Sequence, residues 1–356
     1  MQPDAMGFLY PRVDRDKCVD CGLCERVCAF SDAYDTSDNF ARPIPLGVRQ
    51  RDPAELAASQ SGGAFAALAV SVLAEGGVVY GAGYGEGFRV VHKRAASPAE
   101  LAELRGSKYV QSDVGSCFRA VRADLRAGRH VLFSGTPCQV AGLKSFIGPK
   151  LGSGLLLADI VCHGVPSPYV WRDNLKYIAA RYGSPIVGVN FRDKRITGWH
   201  GCKESYSLDD GRRVVSTAYT RAFFKDIMLR EACGCCPFAN VRRPSDVSLA
   251  DFWGVERTSP TFADDNRGCS LVLLNTERGR ALFERARGAL DVLPAELENC
   301  MQGHLRYPSA HSLRRAAFVA DYEHRGFRHA MRRFGFIGWR ASLRGVLAAL
   351  KHKITR

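Results

Sequence analysis

At 356 residues, with 46% hydrophobic and 24% charged residues, the chain has the length for about two domains plus a small module, and a composition that excludes disordered and fibrous classes. No apolar run approaches the roughly 20 residues a membrane helix needs, and the N-terminus lacks a basic-then-apolar signal pattern, so the expected location is cytoplasmic. The net charge of +14 is uneven, because residues 324 to 356 hold nine Lys/Arg and no Asp or Glu.

In chain order, the first feature is Cys18, Cys21, Cys24 and Cys28, spaced Cys-x2-Cys-x2-Cys-x3-Cys. This is the run by which bacterial ferredoxins hold a 4Fe–4S cluster, whereas zinc sites favour paired knuckles separated by a longer loop. A reducing compartment also argues against disulfides for the 13 cysteines. Ala29 stands where a proline usually follows the run, which leaves that turn less stiff. The run occurs once. Cys28 closing its own cluster, a distant cysteine closing it, and an incomplete chain start all stay open.

Residues 32–53, with three prolines, read as an irregular linker. An alternation of helix and strand follows: a helix over 64–75, strands over 78–81 and 89–93, helices over 98–105 and 117–126. A strand over 130–134, a helix over 137–147, a doubly buried strand over 155–161 and a helix over 167–182 come next. Strands over 186–193, 203–208 and 212–219 include an Asp210-Gly211 hairpin turn. A helix over 222–231, strands over 246–253 and 270–275, and a helix over 277–287 complete the body. The pattern predicts an α/β fold: a small N-terminal ferredoxin-like 4Fe–4S module, then a mixed α/β body. The expected divisions are 1–45, 54–150, 151–310 and a basic helical tail over 311–356. In that tail Phe336, Trp339, Leu343, Val346, Leu347, Leu350 and Ile354 recur at helical spacing between Arg340, Arg344 and Lys351. Such a helix packs on its own domain, or contacts an acidic partner or a membrane surface peripherally. No nucleic-acid motif accompanies the charge.

A second group of cysteines is spread along the body. In Val131-Leu-Phe-Ser-Gly-Thr-Pro-Cys-Gln139 a strand turns into a helix with Thr136 as N-cap and Pro137 in its first turn. Cys138 then lies where the helix dipole favours a thiolate. Cys162 ends the doubly buried strand, beside His163, and Cys233 and Cys236 form a Cys-x2-Cys pair before Pro237. Spacing alone does not join these residues. Cys202 and Cys235 stand as alternative ligands. The alternating Gly81, Gly83, Gly85 and Gly87 lack the G-x-G-x-x-G register of a dinucleotide fold.

Several unusual segments occur together and in order: Gly7-Phe-Leu-Tyr-Pro11, Ser61-Gly-Gly-Ala-Phe65, Leu104-Arg-Gly-Ser-Lys-Tyr-Val-Gln-Ser112, Phe133-Ser-Gly-Thr-Pro-Cys-Gln139, Cys162-His-Gly-Val-Pro-Ser-Pro168, Asn190-Phe-Arg-Asp-Lys194, Cys233–Pro237 and 245–254. Over about residues 7–275 the chain resembles the coenzyme F420 hydrogenase/dehydrogenase beta subunit family. The resemblance implies an oxidoreductase with FAD and one or two 4Fe–4S clusters, passing electrons between a hydride carrier and one-electron partners. Cys138, Cys162, Cys233 and Cys236 are then the implied ligands of an inner cluster, and Cys18, Cys21, Cys24 and Cys28 those of an outer one. Flavin contacts are expected from Ser61, Gly62 and Gly63, from Ser107, Lys108, Tyr109 and Gln111, from Ser134, Gly135, Thr136 and Gln139, and from Asn190 and Arg192. The expected partners are a redox protein or a small hydride carrier, with homo-oligomer formation left open. The alternative is a non-catalytic iron–sulfur electron carrier or assembly subunit without flavin.

Overall fold

The structure, a computed structural model, describes residues 1–30, 34–259, 262, 265–339 and 341. Its strands longer than two residues are, in chain order, β1 (Asn39–Gln50), β2 (Val78–Tyr84), β3 (Val90–Ala95), β4 (Val131–Gly135), β5 (Leu155–Ile160), β6 (Ile186–Asn190), β7 (Glu204–Leu208), β8 (Arg213–Ser216), β9 (Val247–Asp251), β10 (Ser270–Thr276) and β11 (Leu290–Pro294). Eight of them form one mixed sheet in the order β11-β1-β10-β9-β5-β4-β2-β3. The centre of the sheet is parallel, with β2 beside β4, β4 beside β5 and β5 beside β9. Antiparallel strands flank it on both sides.

The parallel centre follows from residue type. Val131, Leu132 and Phe133 of β4 are all fully buried, because both faces of the sheet are covered. Side chains alternate between the two faces. Val79, Leu132, Leu156 and Ala158 pack beneath the helices Ala64–Ala74 and Glu277–Ala286. Val78, Tyr80, Val131, Phe133, Leu155 and Leu157 pack beneath Cys117–Arg126 and Pro137–Ile147. A second core joins the small antiparallel sheet β8-β7-β6 to the helices Pro168–Tyr182, Ala218–Phe223 and Arg315–Arg333. Trp171, Phe191, Tyr206, Tyr219 and Phe318 are buried there.

Three elements depart from the sequence-based expectations. Residues 32–53 are not a linker: they contribute β1, a twelve-residue strand inside the main sheet. Its prolines are tolerated because β11 pairs only with residues 46–50, so Pro43 and Pro45 lie where the ladder on that side has ended. The helix expected over 222–231 lies earlier, at Ala218–Phe223, and a short 3-10 turn, Glu231–Cys235, follows. The long C-terminal helix is Arg315–Arg333, kinked at Gly326. In the tail Phe336 is buried and Trp339 exposed. Leu343, Val346, Leu347, Leu350 and Ile354 lie outside the described residues. Among the described residues no helix is long and apolar enough to cross a membrane.

One buried ion pair bolts the central sheet to the segment after the 3-10 turn. Arg243 and Asp159 are 1% and 0% exposed, with Nη2 and a carboxylate oxygen 3.1 Å apart. Arg243 also donates to the carbonyls of Phe238 at 2.6 Å and Ile160 at 2.8 Å. Removing the carboxylate strands a buried guanidinium. Asp159→Ala is therefore expected to lower stability by about 3–5 kcal/mol, read as a shifted urea midpoint; an unchanged midpoint refutes the bolt.

Candidate functional site

The carboxyl ends of the parallel strands open into a cleft of about 600 Å³. This is the edge where α/β sheets bind ligands, because strand ends and helix starts meet there. Its sheet-side wall includes Gly81, Ser134, Gly135, Thr136, Cys162 and Asp251. The second core supplies Tyr109, Arg192, Phe223 and Phe224, and a later segment supplies Gln302 and His304.

Cys138, Cys162, Cys233 and Cys236 converge at one end of this region, each positioned by a different local device. Cys138 lies in the first turn of Pro137–Ile147, where Thr136 N–H donates to Gln139 Oε1 at 3.1 Å. Thr136 Oγ1 also lies 3.1 Å from the Cys138 sulfur. Cys162 follows the end of β5, and the backbone beyond it turns through Gly164 at φ 138°. The Val165 N–H donates to the Cys233 sulfur at 3.4 Å, which ties the 3-10 turn to that segment. Burial raises all four thiol pKa values, Cys233 to about 11, and neighbouring thiols raise those of Cys162, Cys233 and Cys236 further. Backbone N–H groups of Gln139, Gly164, Val165 and Phe238 oppose this by donating to the four sulfurs. Four half-buried cysteines, each with its sulfur met by an N–H donor, suit thiolates bound to iron. Among the described residues no three His, Cys, Asp or Glu side chains converge on a single-ion site. Thiolates of a cube each bind a different iron and stand further apart.

The other four cysteines are exposed. They surround the short helix Leu23–Arg26, entered through the left-handed backbone of Asp20 and Gly22. The segment leans on the body beside the inner cysteines. Phe30 and Tyr34 pack on the buried Phe238, at centroid distances of 5.9 and 4.7 Å. Tyr34 Oη donates to the Arg242 carbonyl at 2.7 Å. Ser145 Oγ donates to the Val27 carbonyl at 3.3 Å, and Lys144 pairs with Asp35.

Most of the expected flavin contacts line the cleft: Ser61, Gly63, Ser107, Lys108, Tyr109, Ser134, Gly135, Thr136, Gln139 and Arg192. Gly63, at φ 84°, starts the helix Ala64–Ala74, whose first N–H groups have no intrahelical partners and suit a phosphate. Gly62, Gln111 and Asn190 do not line the cleft. A Cβ on Gly62 would fall 2.1 Å from the Val48 carbonyl, so this glycine serves a close backbone approach. Gln111 accepts from Arg230, and Asn190 Oδ1 accepts the Arg192 N–H within its own turn. Lys108 Nζ donates to the Glu103 and Arg105 carbonyls, and burial pushes its pKa down to about 7. Tyr109 stacks on Phe223 at 4.9 Å, and burial pushes its phenol up to about 12. Arg192 is 3% exposed and held by Asp251 at 2.5 Å and the Trp199 carbonyl at 2.6 Å, with its Nε unpartnered.

Sequence reasoning did not find the two histidine networks of the cleft. His163 bonds Asp226 at 2.7 Å and His304 at 2.8 Å. Asp226 and His304 carry no sequence signal, because each is a single residue in an unrelated segment. In the second network Gln139 Nε2 donates to Ser112 Oγ at 3.1 Å, and Ser112 Oγ lies 2.6 Å from His92 Nδ1. His92 Nε2 lies 3.1 Å from the Ser134 carbonyl, and the ring stacks on Phe133. With Nε2 donating and Nδ1 accepting, the neutral ring is satisfied. Ser112 was within reach of the sequence, as the last residue of the 104–112 segment.

A parallel-centred α/β sheet with an exposed cysteine run of ferredoxin spacing defines a 4Fe–4S-binding α/β protein. Residues 128–298 match the family model for the C terminus of the coenzyme F420 hydrogenase/dehydrogenase beta subunit, and residues 10–34 match a 4Fe–4S binding domain. Over residues 128–298 the chain is similar to the coenzyme F420 hydrogenase/dehydrogenase beta subunit family. Among solved structures it is similar to a chain of the F420-reducing NiFe hydrogenase complex from Methanosarcina barkeri, a structure determined for xenon derivatization. The match has a TM-score of 0.52 and 18% identity, and covers 82% of this chain and 91% of the other. No curated protein matches.

Burial pushes the His92 pKa down to about 4. The unfolded chain binds a proton at this site as pH falls through about 6.5, while the folded one stays neutral until about 4. The stability this confers is complete above pH about 6.5 and declines down to about 4. Urea midpoints measured across that window should fall more steeply for the wild type than for His92→Gln, and equal slopes would contradict it.

Proposed function

We propose that the chain is an oxidoreductase that passes electrons between a hydride carrier in the cleft and a one-electron partner at the exposed cysteine quartet. Bound FAD would convert between two-electron and one-electron transfer, and 4Fe–4S clusters would conduct single electrons. The observation that carries the reading is the placement of the half-buried quartet. Cys162 lines the cleft, while the segment after Cys236 touches the outer module through Phe238.

The chain's own residues have separable roles in this reading. Cys138, Cys162, Cys233 and Cys236 would hold the inner cluster, with the N–H donors of Gln139, Gly164, Val165 and Phe238 stabilising their negative charge. Cys18, Cys21, Cys24 and Cys28 would hold the outer one. Gly63 and the start of Ala64–Ala74 would cradle the pyrophosphate, with Ser61 beside them. Ser107, Lys108, Tyr109, Ser134, Gly135, Thr136, Gln139 and Arg192 would line the cofactor, Lys108 and Arg192 as donors to its polar edge. Cytoplasmic location and a redox partner protein complete the proposal; the partner would dock where the outer cysteines are exposed.

Cys138→Ala tests it. Anaerobically purified variant is expected to lose about half its iron relative to wild type, the outer cluster remaining. Unchanged iron would overturn the inner-ligand assignment. The wild-type absorption spectrum before and after dithionite should show flavin bands over the broad iron–sulfur absorption; their absence from freshly isolated protein would favour the carrier without flavin.

A further inference from the structure

Two arginines lie beside the inner cysteines, and their charges are handled differently. Arg243 is neutralised by Asp159. Arg230 forms no ion pair with a carboxylate among the described residues: Nη1 donates to Gln111 Oε1 at 3.1 Å and Nη2 to the Leu9 carbonyl at 3.0 Å. Its guanidinium carbon lies 4.1 Å from the Tyr10 ring centroid and 5.8 Å from that of Phe8. All these partners are neutral, so they orient the cation without cancelling it.

The backbone of Arg230 belongs to the scaffold that places Cys233. Its N–H donates to the Val165 carbonyl at 2.9 Å, and its carbonyl accepts the Cys233 N–H at 3.0 Å. The Val165 N–H in turn meets the Cys233 sulfur. Gln111, which holds the guanidinium, donates its own N–H to the Pro166 carbonyl at 3.2 Å, so the charge lies against the segment whose Val165 N–H meets the Cys233 sulfur. A partly buried cation with only neutral partners is compensated once an anion is loaded next to it. A cluster held by four thiolates is such an anion, and it becomes more negative by one charge on reduction.

We propose that Arg230 sets the reduction potential of the inner cluster, its uncancelled charge favouring the reduced state and so raising the potential. The inference rests on the inner-cluster reading above. It is an electrostatic role for a positioning residue, not a ligand role. Net charge around a cluster is one of the determinants of its potential.

The test is a redox titration of the full chain, both clusters loaded, followed by electron paramagnetic resonance. Arg230→Gln is expected to lower the potential of the inner cluster and leave the outer one unmoved. Arg230→Lys keeps the charge but loses the fork to Gln111 and Leu9, so its inner potential should stay near wild type. Equal shifts in both variants would show that hydrogen bonding rather than charge matters, and would overturn the proposal. No shift in either would also overturn it. Loss of the inner cluster in Arg230→Gln but not in Arg230→Lys supports the same charge requirement, whereas loss in both overturns it. Failure of the cluster reading itself is reported separately, by unchanged iron content in Cys138→Ala.

Discussion

The buried pair of Asp159 and Arg243 is the interaction on which the rest of the site depends. Asp159 is the second-last residue of β5, and Arg243 follows the segment that carries Cys236 and Phe238. One guanidinium therefore fixes the end of a central strand, two carbonyls of the later segment and the spacing between Cys162 and Cys236. The N-terminal module depends on the same bolt at one remove, since Tyr34 bonds the Arg242 carbonyl and packs on Phe238. A buried charge pair is weak evidence for stability in itself, but losing one partner is costly, which makes the geometry all-or-none.

The electrostatics of the inner quartet follow from that geometry. Packing four thiols together at the sheet edge removes them from water, and both burial and mutual repulsion disfavour thiolates. The backbone answers with N–H groups at a helix start, at two turns and after Cys236. Their preference for negative sulfur is too weak to ionise the thiols unaided, so loading of iron would be coupled to release of protons. The cleft has a similar economy of partners: Gln139 orders Ser112, Ser112 orders His92, and His92 meets the strand end at Ser134. Gln139 thus serves the wall of the cleft and also the helix start that presents Cys138.

Much of this was legible residue by residue. The strands over 78–84, 131–135 and 155–160 declare themselves as apolar runs, and the helix at Pro137 by its N-cap and proline. The error at 32–53 has a clear cause. Proline density signals broken ladders, but a strand whose partner stops short has no ladder bond to lose at those positions. The helix expected over 222–231 failed for a different reason, because Phe223 and Leu229 are held by tertiary burial rather than by a helical stripe. Gly62, Gln111 and Asn190 lie in the right motifs and next to cleft residues, yet their own roles are taken by backbone packing or by Arg230 and Arg192.

The sequence by itself determined the outer cysteine run, the α/β alternation and the individual turns that present Cys138 and Cys162, because each depends on neighbours within a few positions. Only the tertiary structure decided that Cys138, Cys162, Cys233 and Cys236 meet, that Asp226 and His304 flank His163, and that Arg243 is cancelled while Arg230 is not. Those facts depend on strand order and on contacts between segments tens to hundreds of residues apart. The distance between two side chains across a sheet edge is set by how the sheet is wound, and no local spacing encodes it.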